Sequence, residues 1–259
     1  MTNKEFVSIA CFIARTCKTL YVSGCFGAPM TAENKERYTR NTAYNQKTER
    51  TVKIKAATLN TFGFDCVCLI KGILWGWCGD MRDTYGGAVY KSNNVPDIDE
   101  REMIKRCSGV STDFSKIRVG EVVWMPGHIG IYVGGGLAVE CTPAWADGVQ
   151  ITAVHNIANL PGYNGRTWTK HGELPWVEYD SEPAEYTLIL PQLHRGSKGE
   201  MVKMLQSMLI ERGYSCGCSG VDGSFGRATE DAVRRFQSDC ELAADGYVGR
   251  NTMTALLGV

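Results

Sequence analysis

The sequence predicts an α+β domain over residues 1–180, a linker at 181–192 and a small three-helix bundle over 193–259. Three observations predict it. Apolar residues fall at helical spacing near the N-terminus and again after residue 65. Between residues 119 and 154, strand-like segments flank a triple glycine. The last part of the chain contains an internal repeat. Composition fits globular domains: of 259 residues, 44% are hydrophobic and 22% charged. Lys+Arg and Asp+Glu both number 28, so net charge points to neither nucleic acid nor a membrane surface as partner. No apolar run approaches the roughly 18 residues of a membrane span.

At the N-terminus, Thr2 with Glu5 reads as a capping box, and Phe6, Ile9, Ala10 and Ile13 share one helical face. Val7 to Ala14 is apolar but short, and no small-residue cleavage site follows, so no signal peptide is expected. The eleven cysteines are scattered without zinc-ligand spacing. They read mostly as buried reduced thiols, consistent with synthesis in a reducing cytoplasm, and no metal or other cofactor is expected.

Between Pro29 and Thr61 lies a polar stretch with seven Lys or Arg against three Glu. It reads as a surface insertion with a solvated helical face, a substrate contact being the lesser alternative. Cys66 to Trp77 is a long apolar run with Leu69, Ile70, Ile73 and Leu74 at helical spacing. Val119–Val133, Leu137–Glu140, Ile151–Val154 and Trp176–Tyr179 are the strand candidates. Ser181 to Glu185 and Pro191 make a polar, proline-bearing linker.

In the C-terminal part, Asp222-Gly-Ser-Phe-Gly-Arg-Ala-Thr229 recurs as Asp245-Gly-Tyr-Val-Gly-Arg-Asn-Thr252. Asp-Gly marks a tight turn, and the second glycine can cap the helix that follows. Upstream, Ser197 and Glu200 suggest a capping box, Val202, Leu205 and Leu209 line one face, and Gly213 fits the C-terminal cap.

The chemistry begins at Cys66. A cysteine in the first turn of an apolar helix meets the positive end of the helix dipole, which lowers a thiol pKa and favours the nucleophilic thiolate. Cys68 reads as packing. A thiol nucleophile needs a base, and the chain has four histidines. His155 and His171 lie in polar, loop-like surroundings and His194 in the small C-terminal part; all three read as surface histidines. His128 alternates with Ile129, Ile131 and Val133, which sets it on the strand face opposite the apolar one, with Gly127 and Gly130 leaving space around it. If Gly134–Gly136 is a three-residue hairpin loop, Val133 faces Leu137 and Gly130 faces Glu140. His128 and Glu140 are then diagonal neighbours on one face, and the carboxylate can orient the imidazole.

Asp65-Cys66…Leu69-Ile70, Gly120-Glu-Val-Val and Pro126-Gly-His-Ile-Gly-Ile-Tyr132 resemble the NlpC/P60 family of papain-like cysteine peptidases. The resemblance covers roughly residues 5–180 and includes Tyr21-Val-Ser-Gly24. It implies a papain-like catalytic domain in which Cys66 attacks an amide in the peptide stem of bacterial peptidoglycan, His128 is the base and Glu140 orients it. Tyr21 would line the site near the oxyanion, with Asp65 beside the nucleophile. The family usually has Ser-Gly after the nucleophile, where this chain has Val67-Cys68. Its orienting residue is often histidine, whereas Glu140 is similar to the related CHAP amidases. The long insertion resembles that of phage lysins. Residues 193–258 resemble the three-helix peptidoglycan-binding domain of wall hydrolases, through Leu193-x-x-Gly196-Ser-x-Gly199, Val202…Leu205-Gln206, Gly213-Tyr214 and the two Asp-Gly repeats.

Together these imply an endolysin-like peptidoglycan hydrolase, made in the cytoplasm and acting at the wall after release. A D,L-endopeptidase and an N-acetylmuramoyl-L-alanine amidase both fit. A wall-binding protein without catalysis is the reading from another class.

Overall fold

The computed structural model describes residues 1–179 and 192–257. These form two compact units. The linker expected at 181–192 lies, apart from Gln192, outside the described residues.

The first unit opens with α1 (Asn3–Thr16). Thr2 accepts the Glu5 N–H and Glu5 accepts the Thr2 N–H, closing the expected capping box. Phe6, Ile9, Ala10 and Ile13 are wholly buried, each of the three large ones contributing about 1.5–3 kcal/mol by leaving water. A three-stranded sheet follows, in the order β1 (Lys18–Tyr21), β3 (Thr61–Phe64), β2 (Phe26–Pro29), with β1 parallel and β2 antiparallel to β3. The polar stretch becomes two helices, α2 (Ala32–Asn41) and α3 (Thr48–Ala56). Their outer faces are solvated as expected. Tyr38 and Ile54 close an apolar cluster with Val22, Cys25, Ala28 and Met30.

Helix α4 (Cys66–Leu74) leaves the end of β3. After α5 (Glu100–Arg106) and β4 (Ser108–Ser111) comes the main sheet, with β5 (Val122–Met125), β6 (His128–Gly134), β7 (Leu137–Thr142), β8 (Gly148–Val154), β9 (Gly165–Arg166) and β10 (Lys170–Glu173). The order is β4-β10-β5-β6-β7-β8-β9. Helices α1 and α4 pack on its central strands, so the core lies between these helices and β6 to β8.

Several details differ from expectation. Trp176–Tyr179 is a turn with one bridge from Glu178 to Thr2, and the strand lies earlier, at β10. His171 therefore sits on an inner strand between β4 and β5, 2% exposed and paired with Glu121, and is no surface histidine. The β6–β7 hairpin closes on Gly135 and Gly136, both with positive φ, as a two-residue turn requires. Leu137 pairs with Gly134 and Val133 is bulged out of the ladder. The bulge restores the register the longer loop would have set, so Gly130 still faces Glu140.

The second unit holds α6 (Glu200–Glu211), α7 (Arg227–Asp239) and α8 (Arg250–Leu257). Val202, Leu205, Leu209, Ala232, Val233, Phe236 and Leu256 form its core. The Ser197–Glu200 box does not form. Gly199, at φ 108°, is the N-cap, and the Ser197 hydroxyl accepts the His194 N–H. Gly213, also at positive φ, ends α6: its N–H reaches Ile210 and that of Tyr214 reaches Leu209, the Schellman pattern.

Candidate active site

Asp65 begins the site. Its Oδ1 accepts the Cys68 N–H at 2.7 Å, capping α4, and its Oδ2 accepts the Gly24 N–H at 2.6 Å. Cys66 is thereby fixed as the first residue of α4. Its backbone N–H belongs to the unpaired end of the helix. Tyr21 lies opposite Phe64 in the β1–β3 register, which brings its phenol beside Cys66. Burial, then the neighbouring thiol and Asp65, push the Tyr21 phenol far above its ordinary range, so it stays a neutral hydroxyl.

The Cys66 thiol departs from the expectation of a lowered pKa. Burial, reinforced by Asp65, pushes it up to about 12. The N–H groups of Val67 and Ile129 pull the other way and are outweighed. A helix end favours a thiolate only where water or a cation helps carry the charge, and here desolvation dominates. The Ile129 N–H on the sulfur also locates it: Cys66 faces the first residues of β6, where His128 begins the strand.

His128 Nε2 and Glu140 Oε2 lie 2.6 Å apart. The Gly130–Glu140 pairing makes them diagonal neighbours. Glu140 is wholly buried, not an exposed strand carboxylate. Burial opposes its charge. Hydrogen bonds from His128 and Thr152 and the charges of His128 and Arg166 outweigh that and hold the carboxyl below its usual range. Oε1 accepts the Thr152 hydroxyl at 2.7 Å. Oε2 also accepts Arg166 Nε at 2.7 Å, and Arg166 Nη2 donates to Thr142 at 3.0 Å.

The space expected beside Gly130 is filled. Trp168, 2% exposed, stacks on the His128 ring with centroids 5.5 Å apart and planes 13° from parallel. A Cβ at residue 130 would lie 3.3 Å from that indole and 3.0 Å from the Val139 carbonyl, so glycine makes room for the stack. Gly127 does border open space. A cavity of about 380 Å³ opens beside the start of α4, lined among others by Ser23, Gly24, Asp65, Val67 and Tyr90.

The five residues singled out from the sequence, Tyr21, Asp65, Cys66, His128 and Glu140, thus gather in one region. Thr152, Arg166 and Trp168 were missed. Thr152 was within reach of strand logic, since it faces Ala138 and so stands diagonal to Glu140. Nothing local marks Arg166 or Trp168, which arrive from the far side of β8 through a short parallel strand.

Comparison with known proteins decides the second unit. Residues 198–256 match the family model described as a putative peptidoglycan binding domain. The chain carries a peptidoglycan-binding domain. Over 67 residues it is 39% identical to N-acetylmuramoyl-L-alanine amidase CwlL of Bacillus licheniformis, covering 26% of this chain and 19% of that one. Over 64 residues it is 42% identical to a zinc D-Ala-D-Ala carboxypeptidase of Streptomyces albus G, covering 25% of each. Among solved structures, the SleB N-terminal domain is 40% identical over 26% of this chain and 90% of that one, at a TM-score of 0.25. The chain spans a quarter or less of the length of the curated relatives it matches.

In the peptidoglycan-binding domain the sequence repeat is also a repeat of hydrogen bonds. Gln206 of α6 donates to Asp222 Oδ1, the Ser224 carbonyl and Thr229, and accepts the Gly223 N–H. Gln237 of α7 donates to Asp245 Oδ1, the Tyr247 carbonyl and Thr252, and accepts the Gly246 N–H. Each helix thus supplies one buried amide that clasps the Asp-Gly turn and the threonine after it.

Proposed function

We propose that the protein is a thiol-dependent peptidoglycan hydrolase of the papain-like NlpC/P60 type, anchored to the wall by its C-terminal domain. The observation that carries the reading is the 2.6 Å contact of His128 Nε2 with a buried, charge-balanced Glu140, beside a cysteine at the first position of a helix. With Nε2 turned to Glu140, Nδ1 is the nitrogen that serves the thiol.

The raised thiol pKa shapes the chemistry. Burial keeps the thiol protonated, so the proton moves as the sulfur attacks. Cys66 Sγ bonds to the amide carbonyl carbon of the substrate while its proton passes to His128. The Cys66 N–H and the Tyr21 hydroxyl donate to the developing oxyanion. The C–N bond then breaks and His128 protonates the leaving amine, leaving a thioester. Water attacks the thioester with His128 again as base, which releases a carboxylate and restores the thiol.

A D,L-endopeptidase cutting within the stem peptide is the primary reading. The amidase reading uses the same residues and draws on the likeness to an enzyme named N-acetylmuramoyl-L-alanine amidase, a likeness that lies over the binding domain. Mass spectrometry of digested sacculi separates them. New amino termini inside the stem mark the endopeptidase, and intact stems freed from sugar mark the amidase.

Cys66→Ala and His128→Ala should abolish lysis, whereas Cys68→Ala should retain much of it. Glu140→Gln should fall between, because an amide still accepts a hydrogen bond from the imidazole. A folded Cys66→Ala protein that clears walls at the wild-type rate overturns the proposal in favour of a binding protein or another chemistry.

A further inference from the structure

Arg166 shares one carboxylate oxygen with His128. Its Nε donates to Glu140 Oε2 at 2.7 Å, and His128 Nε2 lies 2.6 Å from the same atom. The guanidinium is itself held in place. Nη2 donates to Thr142 Oγ1 at 3.0 Å, and the guanidinium carbon sits 4.8 Å from the centre of the Trp145 ring. Glu140 is wholly buried, whereas the Arg166 side chain keeps 22% of its surface in solvent.

A buried carboxylate needs a balancing cation. The charged and titratable groups around this one are His128 from β6 and Arg166 from β9, with the neutral Thr152 hydroxyl from β8. Around the thiol stand its N-cap neighbour Asp65, the Tyr21 phenol from β1 and Glu100 from α5. If His128 were the sole cation for Glu140, the pair would rest as imidazolium and carboxylate, and a protonated imidazole accepts no proton from a thiol. Arginine keeps its charge at every working pH.

The geometry points to Arg166 as the positioning residue that balances Glu140, so that the carboxylate that orients His128 does not depend on the imidazole for its counter-charge. This role rests on the thiol mechanism above for its catalytic consequence. Its electrostatic part does not depend on that mechanism. Arg166 touches neither substrate nor thiol in this role and acts only through Glu140. Trp145 and Thr142 keep the guanidinium from swinging toward solvent.

The test uses the full chain with Arg166→Met, Arg166→Gln and Arg166→Lys. The first two remove the charge, and glutamine keeps a hydrogen-bond donor should methionine disturb folding. The titration of the His128 ring is followed by NMR, with His155, His171 and His194 as internal references. The pH profile of kcat/KM is measured on a soluble stem peptide. In the uncharged variants the His128 midpoint should lie about one pH unit above that of wild type, the size expected for losing a cation in contact with its carboxylate partner. The acid limb of the profile should rise with it, and at pH values below that limb the rate should fall about tenfold when the midpoint rises by one pH unit. Arg166→Lys should restore the midpoint toward wild type, because it restores the charge.

A His128 midpoint unmoved in Arg166→Met and Arg166→Gln overturns the role of Arg166, whatever happens to the rate. A midpoint that rises in protein whose lysis survives Cys66→Ala supports the electrostatic role and counts against the thiol mechanism alone. The two failures are therefore distinguishable.

Discussion

Arg50 holds Asp147 with one terminal nitrogen, Nη1, at 2.8 and 2.7 Å from the two carboxylate oxygens, and donates with the other to the Tyr21 carbonyl. The two residues are 97 positions apart. Arg50 is 2% exposed. Through this contact, the hairpin of α2 and α3 is fastened to the β7–β8 turn and to the main chain that carries Tyr21. The hairpin is solvated on its outer face and structural on its inner one.

Arg50→Met should therefore destabilise the first unit by about 3 kcal/mol, since it leaves Asp147 and the Tyr21 carbonyl short of a partner in a buried setting. Lys53 reaches the same Asp147 at 2.5 Å from an exposed position. Lys53→Met should cost under about 1 kcal/mol. Urea unfolding compares the two. Equal losses would mean that Arg50 is not the anchor.

His171 predicts how stability depends on pH. Its Nδ1 contacts Glu121, and its Nε2 lies 3.1 Å from the Asp113 carbonyl, so both nitrogens face acceptors. Burial alone would lower its pKa. The Glu121 contact and the Asp113 carbonyl outweigh burial and raise it above 6.5. A histidine held protonated by folding stabilises the fold below its unfolded value and ceases to do so as pH rises through the higher folded one. The Tm advantage of wild type over His171→Gln should be full near pH 5–6 and shrink progressively above about pH 6.5. An advantage that grows on going alkaline would reverse the assignment.

The glutamine clasps predict coupled effects in the peptidoglycan-binding domain. Gln237→Leu removes three donated bonds and one accepted bond from a loop built of backbone groups and short polar side chains. It should lower the domain's stability by about 2–3 kcal/mol, because the partners left behind are partly buried. Gln206→Leu should act alike on the other turn. Calorimetry of the full chain reads both effects. Sedimentation with purified sacculi shows whether the loops also carry binding. An unchanged melting profile in both variants would show that the clasps do not hold the turns.

Division of labour gives the last expectation. Residues 1–185 contain the whole proposed site, and the C-terminal piece would act by raising effective concentration at an insoluble polymer. Truncation after residue 185 should spare cleavage of soluble stem peptides and weaken lysis of intact walls by roughly 10- to 100-fold. Loss of activity on soluble fragments as well would mean that the second domain completes the site.

Much of the site was legible because its logic is local. Apolar residues at helical spacing from Cys66 onward mark a helix, and that spacing places Cys66 in its first turn. Period-two alternation and a glycine turn place His128 and Glu140 on one face. The exact loop differed, yet the pairing survived, because the bulge at Val133 absorbs the one-residue change in loop length. The thiol's acidity was misjudged for the opposite reason. Desolvation is a property of everything packed around an atom, and nothing at positions 64–70 reports it.

The sequence by itself determined the helix start at Thr2, the placing of Cys66 in the first turn of an apolar helix, and the doubled Asp-Gly turn. Each depends on hydrogen bonds or side-chain spacing among residues close along the chain. Only the tertiary structure decided that Arg166 balances Glu140, that Trp168 lies over His128, that Arg50 locks Asp147 and that His171 is buried against Glu121. Those contacts join segments separated by loops and whole strands. Their energies depend on burial, distance and the presence of a counter-charge, and these exist only once the chain has folded.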